Sequence, residues 1–321
     1  MNISVVIRTL NEQAYLEELL QGVDSQRLDD DDVVEVVLVD SGSTDNTIEI
    51  ARSYGCRIAR IRKEEFSFGR SLNLGCETAA GDILVFISGH CVPASDEWLR
   101  ELIRPIKEKL VQYCYGRQIG RGTTKFSESR VFLKYFPTNS MLPQLGYFAN
   151  NANAAVSRAV WLTHRFDEKL TGLEDMKLGR DIKARGGQIG YAARAAVYHI
   201  HDETWPQVRR RYEREAFALA SIAPEVAMTF RTFVSCLLRS IAKDSYRAVQ
   251  QRSLVRELGG IVLFRFNQFY GGYLGNRLAK EVSRAHSRNY FYPDRQYEQE
   301  VPGNDNNRPV AHEGPQQPRS W

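Results

Sequence analysis

The chain is short of the features that define several protein classes. It has five cysteines in 321 residues, Cys56, Cys76, Cys91, Cys114 and Cys236. They are odd in number and none lies close to another, which argues against a disulfide framework or a zinc ribbon and for reduced thiols in a cytosolic setting. No apolar run approaches the ~20 residues of a membrane span; the longest candidate, Leu258 to Phe264, is stopped by Arg265. The N-terminus enters Ile3-Ser4-Val5-Val6-Ile7 without a basic segment or a cleavage site, so no signal peptide is expected. No internal repeat is visible. The turn after that first apolar run, Arg8-Thr9-Leu10-Asn11-Glu12, contains no glycine. This argues against a nucleotidyltransferase, which would carry a Gly-rich, Lys/Arg-bearing loop there.

What is present reads as a globular α/β chain. Apolar residues make up 43% and charged residues 26%, too rich in core-forming residues for disorder. The length exceeds one small core and suits one α/β domain with a C-terminal extension. Net charge is +4 but unevenly spread: Trp205 to Glu300 holds 16 Lys and Arg against 9 Asp and Glu. A basic C-terminal third points to an anionic surface or ligand at that end.

The first ninety residues alternate strand and helix. Ile3–Ile7 is a short apolar run, and Thr9-Leu10-Asn11-Glu12 has the pattern of a capping box opening a helix to about Leu20. Val33–Val39 is a β-branched run ending at Asp40. Ser41 to Asp45 forms a turn and cap, and a helix then runs to Tyr54 and stops at Gly55. Arg57–Ile61 and Ile83–Ile87 are further strands, with a helix over Arg70–Ala80 between them. This alternation implies parallel pairing in a doubly wound sheet. Arg117 to Asn153 has weak periodicity and reads as loops around a binding surface. Asn153–Val156 is a predicted strand and Glu174–Arg185 a helix. Pro206 to about Gln251 is helical, with Phe230, Phe233, Val234, Leu237, Leu238 and Ile241 on one face. From Pro302 the chain is Asn-, Pro- and Gln-rich, the composition of a disordered tail. The expected domains are residues 1–205, 206–300 and the tail 301–321.

In an open α/β sheet, ligands bind at the carboxyl ends of strands. Three polar sets fall there: Thr9, Asn11 and Glu12; Asp40 with Ser41 to Asp45; and Ser88-Gly89-His90. Together they form a crevice of short polar side chains and helix N-termini, suited to a nucleotide diphosphate. Val5-Val6-Ile7-Arg8-Thr9-Leu10-Asn11-Glu12 and Val39-Asp40-Ser41-Gly42-Ser43-Thr44-Asp45-Asn46-Thr47 resemble the nucleotide-binding signature of glycosyltransferase family 2. Phe68-Gly69-Arg70-Ser71-Leu72-Asn73-Leu74-Gly75 is similar to that family's next segment. The similarity spans about residues 1–220 and is nearest to the rhamnosyltransferase-like branch. It implies a GT-A fold: a mostly parallel, doubly wound sheet with flanking helices, here extended by C-terminal helices. It also implies that Thr9, Glu12, Asp40 and Ser41 contact the donor's nucleoside and that Arg70 lies near the nucleotide, where a guanidinium suits a diphosphate.

The family places an Asp-x-Asp after the fourth strand, where carboxylates hold Mn²⁺ or Mg²⁺. This chain has Ser88-Gly89-His90 instead. Histidine suits Mn²⁺ better than Mg²⁺, which prefers oxygen, so a divalent cation is expected with Mn²⁺ favoured. His90 is then a metal ligand, a direct phosphate donor, or the mark of weak metal dependence. In Val197-Tyr198-His199-Ile200-His201-Asp202, His199 and His201 share a strand face and could complete a metal site; His199 is the candidate ligand. Leu173-Glu174-Asp175-Met176 resembles the family's Glu-Asp motif. By that match Asp175 is the general base that takes the acceptor's proton, and Glu174 positions the acceptor or the base. The bland reading of the same pair is dipole complementarity at a helix N-terminus. Of the arginines at 209, 210, 211 and 214, the resemblance supports Arg210 or Arg211 on the leaving diphosphate. The amides of Asn150-Asn151-Ala152-Asn153 fit either sugar hydroxyls or simple turn chemistry.

The expectation is an inverting glycosyltransferase that uses a nucleotide-sugar donor, UDP- or dTDP-linked. Its acceptor would be lipid-linked or a saccharide, in polysaccharide or glycolipid assembly. Its expected location is cytoplasmic and peripheral at an anionic inner-membrane face. No nucleic-acid partner is expected. A catalytically inactive sugar-nucleotide-binding protein is the alternative that the missing Asp-x-Asp raises.

Overall fold

The computed structural model describes residues 1–279. The expected tail from 301 to 321, and the end of the expected extension, lie outside the described residues. The first half is laid down as β1 (Asn2–Thr9), α1 (Gln13–Asp24), β2 (Val33–Asp40), α2 (Thr47–Ser53), β3 (Arg57–Arg60), α3 (Phe68–Thr78) and β4 (Ile83–Ser88). Next come β5 (Cys91–Pro93), α4 (Trp98–Lys107), β6 (Tyr113–Ile119), α5 (Phe126–Tyr135), β7 (Asn153–Ser157), α6 (Arg158–Thr163), α7 (Glu174–Ala184) and β8 (Ile189–His199). Three helices follow: α8 (Trp205–Ile222), α9 (Phe230–Gln250) and α10 (Leu254–Ala279).

All eight strands form one sheet in the order β3-β2-β1-β4-β7-β6-β8-β5. β3, β2, β1 and β4 run parallel, as do β6 and β8; β7 and β5 run against their neighbours. The register sets Thr9 opposite Asp40, Arg8 opposite Ser88 and Ile87 opposite Asn153. The carboxyl ends of β1, β2, β4, β6 and β8 therefore share one edge with the start of β7. This is the mostly parallel GT-A-type sheet expected from the sequence.

Strand alternation divides the core in two. Ile3, Val5 and Ile7 of β1 face the layer that includes Leu16, Leu19, Trp98 and Leu102. Val6, with Val37 and Val39, faces the layer that holds Leu72, Trp161, Leu178 and Ile182. Both faces of the central strands are covered, which is why they read as continuous apolar runs.

Three local expectations are corrected. Thr9 to Glu12 is not a capping box: Thr9 ends β1, Asn11 is left-handed at φ 57°, and the N-cap Glu12 makes no side-chain cap bond. The N-terminus of α1 is satisfied from the next loop instead. The Glu12 N–H donates to Thr47 Oγ1 (2.8 Å) and the Gln13 N–H to Asp45 Oδ2 (3.2 Å). Second, the stretch from 117 to 153 is not all loop. It contains the end of β6 and the whole of α5; β6 is a central strand whose partners on both sides, not its own periodicity, define it. Third, the helical stretch from 206 to 251 is two helices, α8 ending just before Pro224 and α9 opening at the Thr229 cap. Proline has no N–H to continue the ladder.

α8 and α10 pack at backbone contact. A Cβ on Gly271 or Gly275 would strike the carbonyl oxygens of Arg209 and Glu213 on α8. The α5–α9–α10 junction is closed by a buried ion pair: Arg265 Nε donates to Asp244 Oδ2 (2.7 Å), which also accepts from Ser127 Oγ (2.7 Å).

Candidate active site

The crevice is assembled from the shared carboxyl edge. At its β1–β2 end, Thr9, Asp40 and Ser41 are each 3% exposed. The Asp40 carboxylate accepts N–H bonds from Gly42 (2.9 Å) and Ser43 (3.2 Å), which folds the loop back over the strand end. The Ser41 N–H donates to the Thr9 carbonyl (3.1 Å), so the two expected nucleoside-contacting segments are tied to each other.

Glu174 and Asp175 open α7 and are both buried. Glu174 pairs with Arg8 of β1 at 3.5 Å. Asp175 accepts N–H bonds from Asn151 on Oδ2 (3.0 Å) and from Met176 on Oδ1 (2.7 Å). Burial, and after it the neighbouring Glu174 carboxylate, push the Asp175 carboxyl up to about 8. A carboxyl so placed takes up a proton readily near neutral pH. Arg8 and Arg214 of α8 both lie on the Phe68 ring, at 5.0 and 4.7 Å from its centroid. Burial holds the Arg214 guanidinium below its ordinary range, and its Nε has no hydrogen-bond partner.

The β4–β5 turn and the end of β8 bring three histidines together. One ring nitrogen from each of His90, His199 and His201 lies within 4.8 Å of those of the other two. His199 and His201 have ring centroids 4.1 Å apart, and His90 stacks on His199 at 5.1 Å. Burial first, and then neighbouring cationic groups, keep His199 and His201 well below the usual histidine range, so both are neutral. His199 Nε2 is buried with no partner. The Ser88-Gly89-His90 sequence has a steric reason: a Cβ on Gly89 would sit 2.7 Å from Glu12 Cγ and 3.1 Å from the Arg8 carbonyl oxygen. Glycine lets Glu12 reach His90.

The remaining expected residues separate. Arg211 Nη2 lies beside the histidines, donating to Glu128 Oε1 (2.6 Å) and Glu203 Oε2 (2.7 Å). Arg210 is exposed on α8 and is not brought to this cluster, whereas Arg214, four residues on, lies over the Phe68 ring. Arg70 is half exposed and pairs with Glu168 at 3.4 Å. The asparagines serve as scaffold: Asn153 Oδ1 accepts from Trp98 Nε1 (2.8 Å), and Asn150 Oδ1 accepts from Gln118 Nε2 (2.9 Å). Arg8, Gln118 and Glu128 were not singled out from sequence. Gln118 and Glu128 fell in the stretch read as loop, and Arg8 stood within a quoted motif without a role.

An eight-stranded, mostly parallel sheet with polar groups converging on one edge defines the class: a GT-A-type fold. Residues 4–161, about half of the chain, match the family model described as glycosyl transferase family 2, which places that part of the chain in the family. It is similar to the O-antigen chain rhamnosyltransferase WbaN of Salmonella anatum, 27% identical over 195 residues, 56% of this chain and 60% of that protein. The match thus spans less than two thirds of that relative's length. A Pyrobaculum calidifontis mannosyltransferase solved with GDP-Man and Mn²⁺ superposes with a TM-score of 0.61 at 16% identity, over 87% of each chain. Mycobacterium tuberculosis glucosyl-3-phosphoglycerate synthase, solved with phosphoglyceric acid, gives 0.50 at 23% identity, over 68% of this chain and 79% of that one.

Proposed function

We propose that the chain is an inverting glycosyltransferase that moves one sugar from a nucleotide-diphosphate donor to a hydroxyl acceptor in polysaccharide or glycolipid assembly. The observation that carries this reading is Asp175: a buried carboxyl of raised proton affinity at the same sheet edge as Asp40 and the histidines. The donor's nucleoside would lie against Thr9, Glu12, Asp40 and Ser41, and its diphosphate toward His90, His199 and Arg211. The acceptor oxygen bonds to the anomeric carbon as the carbon–phosphate oxygen bond breaks on the opposite face. The acceptor's proton passes to Asp175, and the nucleoside diphosphate leaves. Glu174, held by Arg8, keeps Asp175's proton affinity high and its position set.

His90 and His199 would hold a divalent cation, which would neutralise charge on the diphosphate. The unpartnered, buried Nε2 of His199 and the neutrality of that ring fit such an ion. The rhamnosyltransferase relative supports activated rhamnose as donor, with a UDP-hexose as the other choice. A lipid-linked acceptor is supported by the C-terminal helices. Between Phe230 and Ala279 they carry eight Lys and Arg against two acids, with Phe230, Leu238, Val255 and Leu258 exposed. Among the described residues no helix is long and apolar enough to cross a membrane, so contact with the bilayer would be peripheral, by residues 206–300 beside a transferase domain of residues 1–205.

The test is Asp175→Asn assayed with a panel of UDP-, GDP- and dTDP-sugars. Loss of the base should lower transfer by roughly 10²–10⁴-fold with donor binding little changed. Transfer equal to the parent's would remove Asp175 from the mechanism.

A further inference from the structure

The three histidines share a pattern of outer hydrogen bonds. His90 Nδ1 is 2.8 Å from Glu12 Oε1, and His201 Nδ1 is 2.8 Å from Glu128 Oε1. Carboxylates only accept, so both Nδ1 atoms carry the proton. His199 Nδ1 is 2.6 Å from Gln118 Oε1. The orientation of that amide is set by its other end: Gln118 Nε2 donates to Asn150 Oδ1, which also accepts the Ala152 N–H. Gln118 Oε1 is therefore an acceptor and His199 Nδ1 also carries a proton. On all three rings the lone pair is left on Nε2. Pinning one ring nitrogen to an acceptor so that the other is free to coordinate is the usual outer arrangement of metal-bound histidine.

A second grouping, Glu128, His201 and Glu203, lies alongside. Both of its carboxylates pair with the Arg211 guanidinium, which leaves Glu128 Oε2 buried without a partner. Around the histidines the carboxylates of Glu12, Glu128 and Glu203 are set against the Arg211 guanidinium and the Lys125 ammonium.

We infer that His90, His199 and His201 form a three-imidazole cation site that binds through Nε2 and selects first-row transition ions over Mg²⁺. The inference rests on the transferase reading for what the ion serves, and on this chain's own donor atoms for what the ion is. Mg²⁺ demands an octahedron of oxygens, whereas this cluster offers three imidazole nitrogens beside the buried, unpartnered carboxylate oxygen Glu128 Oε2. Imidazole affinity rises from Mn²⁺ to Zn²⁺. Zn–N bonds of about 2.0–2.1 Å require the nitrogens to close to ~3.4 Å from one another, a contraction that the half-exposed His90 side chain allows. Three protein nitrogens leave further positions open for a phosphate oxygen or water. Glu12, Gln118 and Glu128 are positioning residues for this site.

The test uses the purified full chain, stripped with chelator and titrated in the absence of donor with Zn²⁺, Mn²⁺, Co²⁺ or Mg²⁺. Calorimetry and thermal shift report binding, and the visible absorption of Co²⁺ reports nitrogen ligation. The expected result is one Co²⁺ or Zn²⁺ per chain, weaker Mn²⁺, and no response to Mg²⁺ in the same range. His201→Ala should abolish the Co²⁺ band. Glu12→Gln, which keeps the side-chain size, should weaken binding by roughly 10–100-fold while leaving the apo melting temperature near the parent's. Mg²⁺ binding on a par with Mn²⁺, or His201→Ala binding Co²⁺ like the parent, overturns the inference. Donor-dependent transfer that persists in chelator, with no ion bound, sinks the site and leaves the transferase reading standing. Tight Zn²⁺ binding by a chain that transfers no sugar from any donor sinks the transferase reading and leaves the site.

Discussion

At the scale of single residues, Asp175 joins burial to function. It must be ionised to accept a proton, yet burial and Glu174 hold its proton until the pH nears 8. Turnover at subsaturating acceptor should therefore rise by roughly tenfold per pH unit up to about pH 8 and then level off. Glu174→Gln removes the second of the two causes, so the rise should move to lower pH. A pH–rate profile of both proteins checks this, and an unmoved profile would mean another group limits the rate. The sign for stability is opposite. A carboxyl whose folded proton affinity exceeds its unfolded value contributes stability that is complete below about pH 4 and lost as pH rises through 8. Asp175→Asn should therefore flatten the fall in melting temperature between those limits.

Gly89 is the other residue whose identity geometry dictates. Gly89→Ala places a methyl against Glu12 Cγ and the Arg8 carbonyl, so Glu12 must withdraw from His90. Loss of that outer bond should cost roughly tenfold or more in cation affinity, read by calorimetry against an unchanged far-ultraviolet spectrum.

At the scale of elements, α8 brings Arg211 and Arg214 inward and is itself placed by α10. Gly275→Val would drive side-chain carbon into the Glu213 carbonyl and force the helices apart. Such overpacking costs about 1–3 kcal/mol, and donor binding should weaken with it because both arginines move. The Asp244–Arg265 pair that locks α9 to α10 and α5 is buried at both ends. Asp244→Ala strands a guanidinium in the interior and should cost about 3–5 kcal/mol by denaturant unfolding. A loss under 1 kcal/mol would mean that Arg265 finds water or another acceptor.

At the scale of the whole molecule, exposed apolar residues and excess positive charge gather on α9 and α10, as a peripheral membrane surface requires. Vesicles containing anionic lipid should retain the protein at low salt and release it at high salt, since the Debye length shrinks from about 30 Å at 0.01 M to 3 Å at 1 M. Binding to neutral vesicles with no dependence on salt would replace the electrostatic account with an apolar one.

The strands and helices of the first ninety residues were legible because each is defined by its own pattern: β-branched runs, turn residues and helix stops. The placing of Thr9, Asp40 and His90 at strand ends followed from that alternation. Contacts between distant segments were not legible. The Thr9–Glu12 pattern looked like a local cap, but its helix is capped from Asp45 and Thr47, because the close pairing of β1 and β2 brings their loops within bonding distance. Arg214 rather than Arg210 turns inward because α10 sets the rotation of α8. Gln118 and Glu128 gain their part only where β6 and α5 meet the end of β8. Local periodicity determined the elements of the first ninety residues and the edge on which the site lies. Pairing register and helix packing, which join residues far apart in the chain, decided which side chains meet there.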